Sequence, residues 1–115
     1  MKKTIKLLLI DDDDALLKIA ETFLLKQDQE LEIAAVNSAT DALNKMEKQN
    51  FDVIICDYQM PGMDGLELLE KLRGEGNSIP FIIFTGRGRE DVAIRALNLG
   101  ATNYVQKGSD PKSQY

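Results

Sequence analysis

Five polar residues of this chain stand directly after, or at the end of, short apolar or β-prone runs. Asp11 and Asp12 follow Leu7-Leu8-Leu9-Ile10, and Asp57 follows Val53-Ile54-Ile55-Cys56. Thr85 follows Phe81-Ile82-Ile83-Phe84, and Lys107 follows Asn103-Tyr104-Val105-Gln106. Carboxylates held a few ångströms apart repel one another unless a cation joins them. A hard divalent ion such as Mg2+ suits such a set, because it takes oxygen ligands and keeps several waters. Asp11 or Asp12, Asp57 and one backbone carbonyl would make a partial cage. A carboxylate can also act as a nucleophile towards phosphorus and form an aspartyl-phosphate. The incoming negative charge would then be balanced by the metal and Lys107, with Thr85 donating a hydrogen bond to a phosphoryl oxygen. Each residue has a plainer reading as well. An Asp at a strand end is often a helix N-cap, and Asp13 or Asp14 fits that role. The combination of the five carries the chemistry.

These residues act together only if the fold makes them meet. Strand-like runs alternate with helical patterns along the whole chain, which predicts βαβ units and a parallel sheet. The unbroken apolar runs ending at Ile10, Cys56 and Phe84 read as interior strands covered on both faces. Residues 31–36 and 103–106 are shorter or mixed with Glu32 and Gln106, and read as edge strands. The class is α/β, a doubly wound five-stranded parallel sheet in the order 2-1-3-4-5. In such a sheet every strand delivers its C-terminal end to one edge, where ligands bind.

Helical stripes fill the intervals. Leu16, Ile19, Ala20, Phe23 and Leu24 predict helix one. Ser38 with Asp41 gives a capping-box-like start to helix two, with the stripe Ala39, Ala42, Leu43 and Met46. Helix three is predicted from about Asp64 to Arg73, buried through Gly65, Leu68, Leu69 and Leu72 and stopped by Gly74 and Gly76. Helix four follows Gly86 and Gly88, buries Val92, Ala96 and Leu99, and ends at Gly100.

With these residues set out, the chain resembles the response-regulator receiver domains of two-component signalling over residues 4 to 107. The resemblance rests on residues 8–13, 52–65, 82–86 and 100–107, all in the family's order and spacing. It implies a flavodoxin-like fold and a switch that takes a phosphoryl group from a histidine kinase or phosphotransfer protein. By the resemblance, Asp11 and Asp12 are the acidic metal pair and Asp57 the phosphoacceptor. Thr85 is the switch hydroxyl and Lys107 the phosphate-contacting lysine. Gln59 offers its backbone carbonyl to Mg2+ or Mn2+, and Tyr104 is the aromatic switch. The domain catalyses only its own phosphorylation and dephosphorylation. Its output partner or attached effector is not named by the sequence, and a homodimer is left open.

Composition narrows the classes further. The 115 residues are expected to form one domain spanning 1–115, large enough to bury about two-thirds of the unfolded surface. Fourteen Lys and Arg against 19 Asp and Glu give a net charge of −5, which argues against direct nucleic-acid binding. Cys56 lies in an apolar run and reads as a small buried hydrophobe. The apolar stretch before Asp11 is too short for a secretory signal. No stretch approaches the roughly 20 apolar residues of a membrane span, and a cytoplasmic location is expected. The chain contains no histidine, so it cannot supply its own phosphohistidine.

Three departures from the family pattern bear on function. Gly108 follows Lys107 where the family usually has proline, commonly after a cis bond, and a non-proline cis bond costs roughly 2.5–4 kcal/mol. Arg87 and Gln59 occupy positions that in the family modulate the lifetime of the phosphoryl group. Asp110-Pro111 reads as the N-cap and first residue of a fifth helix, which the chain truncates, so a continuing natural polypeptide is expected. Ile94, opposite the buried stripe of helix four, is a candidate for a partner surface. Two other readings compete: a haloacid-dehalogenase-like phosphatase, with a D-x-D signature traced through Asp11 and Asp13, and a receiver-fold binding module that works without phosphorylation.

Overall fold

The computed structural model describes residues 4–27, 30–85 and 90–106. Among these residues five strands and four helices alternate: β1 (Ile5–Ile10), α1 (Asp14–Gln27), β2 (Leu31–Val36), α2 (Ala39–Lys48), β3 (Val53–Asp57), α3 (Gly65–Gly74), β4 (Phe81–Thr85), α4 (Glu90–Asn98) and β5 (Asn103–Gln106). All strand pairs are parallel and the order is β2-β1-β3-β4-β5. The expected topology, the interior strands and both edges are therefore as the sequence reading had them.

Alternation along the strands divides the apolar side chains between two faces. Leu8, Ile10, Ile54, Cys56, Phe81 and Ile83 face α2, α3 and α4, which add Ala39, Ala42, Leu66, Leu68, Leu69, Leu72, Val92 and Ala96 to one core. Leu7, Leu9, Ile55 and Phe84 face the other way, against Leu17 and Ala20 of α1. Cys56 is fully buried, as expected of a small core residue.

Two helices depart from their predicted details. In α1 the buried residues are Leu17 and Ala20, whereas Ile19 is 49% exposed. Leucine doublets at 16–17 and 24–25 create two overlapping helical stripes, and periodicity alone does not choose between them. Ala20 is buried as predicted, and the sheet takes Leu17 beside it in place of Ile19. In α3, Gly74 belongs to the helix and Gly76 ends it, at φ +80. The positive φ that terminates a helix falls at Gly76 because the last turn runs on through Glu75. At the end of α4, Gly100 has φ +99 and stops the helix as predicted. Gly86, Arg87, Gly88, Lys107, Gly108 and the Asp110-Pro111 pair lie outside the described residues.

Candidate metal and phosphoacceptor site

The C-terminal ends of β1 and β3 lie side by side, with Ile10 paired to Cys56, so the residues that follow them converge. Ligand oxygens of Asp11, Asp12 and Asp57 all fall within 4.8 Å of one another. Asp11 and Asp57 are buried, at 5% and 8% exposure, while Asp12 faces solvent. The donor set is all oxygen, partly buried and open on one side. That fits a hard divalent cation that retains some of its waters.

Local structure aims each carboxylate. The backbone of Asp11 extends the pairing to β2 through Asp11 N–H to the Val36 carbonyl at 3.2 Å. One Asp11 oxygen accepts from the N–H of Asp13 at 3.0 Å, which turns the side chain back over the strand end. Asp13 is the cap of α1: its Oδ1 accepts from Leu16 N–H at 3.1 Å. Asp12, between them, is left to point into an open cleft that it lines with Tyr58, Gln59, Met60, Pro61, Gly62 and Asp64. Gln59 is thus beside the acidic trio, in the loop after Asp57.

β4 contributes Thr85, one residue beyond the Asp57–Phe84 pair. Thr85 is 1% exposed, and its Oγ1 has no hydrogen-bond partner among the described residues. A buried hydroxyl in that state is costly unless a ligand or a rearrangement supplies a partner. β5 pairs Gln106 with Thr85 and Tyr104 with Ile83. Lys107 follows in sequence outside the described residues, and so does the side chain of Tyr104.

The geometry reveals three positioning residues that sequence reasoning did not single out for these roles. Gly65 opens α3 directly under the site: its N–H donates to the Tyr58 carbonyl at 2.8 Å. A Cβ at Gly65 would run into the Asp57 carbonyl and come within 2.6 Å of Ile83 Cδ1. Asp64 and Glu67 form a full capping box, with Glu67 N–H donating to Asp64 at 2.8 Å and Asp64 N–H to Glu67 at 3.0 Å. The D-G-L-E spelling of residues 64–67 carried that signal.

Comparison with known proteins agrees with the geometry. A family model described as the response regulator receiver domain matches residues 7–113. The chain is similar to the receiver domain of Francisella response regulator 1452, at 27% identity and a TM-score of 0.84, covering 95% of this chain and 88% of that one. It is similar to a response regulator receiver domain protein of Clostridium thermocellum, at 32% identity and 0.82, covering 95% and 86%. It is also similar to the chemotaxis response regulator CheY4 of Vibrio cholerae, at 27% identity and 0.83, covering 96% and 92%. Fold, acidic trio and family model coincide: the chain belongs to the response regulator receiver domain family.

Proposed function

We propose that residues 1–115 form one receiver unit that takes a phosphoryl group on Asp57 in a Mg2+-dependent reaction and passes the change to a partner. The observation that carries the reading is the meeting of Asp11, Asp12 and Asp57 within 4.8 Å, beside the buried hydroxyl of Thr85, which has no hydrogen-bond partner among the described residues. Asp11, Asp12, Asp57 and the backbone carbonyl of Gln59 would hold Mg2+ or Mn2+. Such an ion supplies charge neutralisation to a transferring phosphoryl group. One Asp57 oxygen attacks phosphorus as the P–N bond to the donor imidazole breaks. The imidazole leaves with the bonding electron pair, and the new P–O bond makes the aspartyl-phosphate. Thr85 turns its hydroxyl to a phosphoryl oxygen, which gives it the partner it lacks among the described residues, and Lys107 supplies a second positive charge. Tyr104 follows Thr85 as the aromatic part of the switch.

The donor class is a histidine kinase or a phosphotransfer protein, and the receiver of the signal is an output partner, an attached effector or a second copy. The net charge of −5 supports partners other than nucleic acid. No described helix is long and apolar enough to cross a membrane, and a cytoplasmic location is part of the proposal. Membership of the receiver family sets aside the dehalogenase-like phosphatase reading. The phosphorylation-independent binding module predicts no adduct in the following test, and so is distinguished from this reading by it. Incubation with Mg2+ and acetyl phosphate, followed by intact mass measurement, is expected to add one phosphoryl group. Asp57→Asn is expected to abolish the adduct, and an undiminished adduct in that variant would sink the assignment.

A further inference from the structure

α3 and α4 end side by side, and both ends have the same construction. At the end of α3, Asn77 N–H donates to the Leu72 carbonyl at 2.9 Å and Gly76 N–H to Arg73 at 3.1 Å. At the end of α4, Ala101 N–H donates to Ala96 at 2.9 Å and Gly100 N–H to Leu97 at 3.1 Å. Each is a pair of Schellman bonds around a positive-φ glycine. One guanidinium serves both. Arg73 donates from Nη1 to the Asn77 carbonyl at 2.9 Å, and from Nε and Nη2 to the Gly100 carbonyl at 3.0 and 2.7 Å. Each helix presents about half a negative charge at its C-terminus, so the shared cation lies where two such ends converge. Burial lowers the pKa of Arg73 from its ordinary value, yet an arginine remains charged throughout the physiological range.

We propose that Arg73 is a positioning residue that pins the C-terminal end of α4 to α3, so that α4 moves as a lever about Gly100. The consequence for signalling rests on the phosphoacceptor reading above. Thr85 ends β4 and α4 begins at Glu90, so a shift of Thr85 towards a phosphoryl group reaches α4 at its N-terminal end. With Gly100 fixed, that shift becomes a tilt of a helix roughly 13 Å long. Ile94, 61% exposed, lies further from the pin than Leu97, 46% exposed, and is displaced more.

Amide hydrogen exchange on the whole chain tests the pin. In the unliganded protein, Arg73→Met is expected to speed exchange at Leu99, Gly100 and Ala101 at least tenfold, with strand amides of Leu8, Ile54 and Ile83 unchanged. Arg73→Lys, which keeps the charge but cannot fork across both carbonyls, is expected to fall between, and decides the question if Arg73→Met does not fold. Lys71→Met, two residues earlier in α3 and exposed, is the control and should leave these amides alone. With Mg2+ and beryllofluoride, the change in the parent should stop before Ala96 and in Arg73→Met extend through Ala101. Exchange at residues 99–101 within twofold of the parent in the Arg73 variants would overturn the pin, as would a ligand-induced change in the parent as large at 96–101 as at 91–95. Failure of beryllofluoride to bind would count against the phosphoacceptor reading alone, since the unliganded comparison still decides the role of Arg73.

Discussion

Thr85 places a hydroxyl oxygen in the interior with no partner among the described residues, and leaving such a group unpaired costs roughly 1–3 kcal/mol. The resting protein therefore carries a local penalty that the proposed phosphorylation of Asp57 would relieve. Thr85→Val keeps the branched shape and removes the oxygen. It is expected to raise the stability of the unphosphorylated protein by about 1 kcal/mol, while reducing the extra stability gained from Mg2+ with beryllofluoride. Thermal melting of both proteins with and without the two reagents checks this. A less stable unliganded variant would mean that the hydroxyl is already satisfied in solution. At this scale the sequence was informative for a definable reason. Asp11, Asp12, Asp57 and Thr85 each follow an apolar run, so their positions at strand ends could be read directly. Gly65 and Arg73 meet backbone carbonyls brought close by tertiary packing, and a carbonyl leaves no mark in the sequence.

At the scale of elements, α3 is the part that couples core packing to the site. Its capping box fixes where it starts, and the absence of a Cβ at Gly65 lets its first turn press against the Asp57 carbonyl and Ile83. Gly65→Ala sets two effects against each other. Alanine favours a helix by about 1 kcal/mol, whereas crowding in a packed interior costs typically 1–3 kcal/mol. Here the crowded atom is backbone, which cannot rotate away, so crowding wins. The variant is expected to lose about 1–2 kcal/mol of stability and to bind Mg2+ more weakly, because α3 can retreat only by disturbing the loop that leaves Asp57. Denaturant midpoints and a Mg2+ titration measure the two effects, and a neutral or stabilised variant would contradict the close approach. The elements themselves were legible from period and punctuation, including the edge strands β2 and β5. The face of α1 was legible only in part: Ala20 is buried as expected, but the leucine doublets fit two stripes and only the sheet beneath selects Leu17 over Ile19.

At the scale of the whole molecule, the proposed metal site would make folding and metal binding one equilibrium. Asp11 and Asp12 directly follow β1 and Asp57 is the last residue of β3, so their oxygens lie within 4.8 Å only once the two strands pair. An ion that binds the folded chain alone stabilises it by about 2.7 kcal/mol at 100 times its dissociation constant. For a domain of this size that corresponds to a rise in melting temperature on the order of ten degrees. General screening predicts less. At 0.1 M salt the Debye length is about 10 Å, longer than the spacing within the trio, and buried pairs are screened still less. Added Mg2+ is therefore expected to raise the melting temperature well beyond NaCl at equal ionic strength, with the difference largely removed in Asp11→Asn and Asp57→Asn. Asp12 is exposed, and a carboxylate already in water has less repulsion to relieve, so Asp12→Asn is expected to retain more of the effect than Asp11→Asn. Equal stabilisation by the two salts would make the trio an acidic surface rather than a metal site, and would remove the cation from the proposed phosphorylation of Asp57.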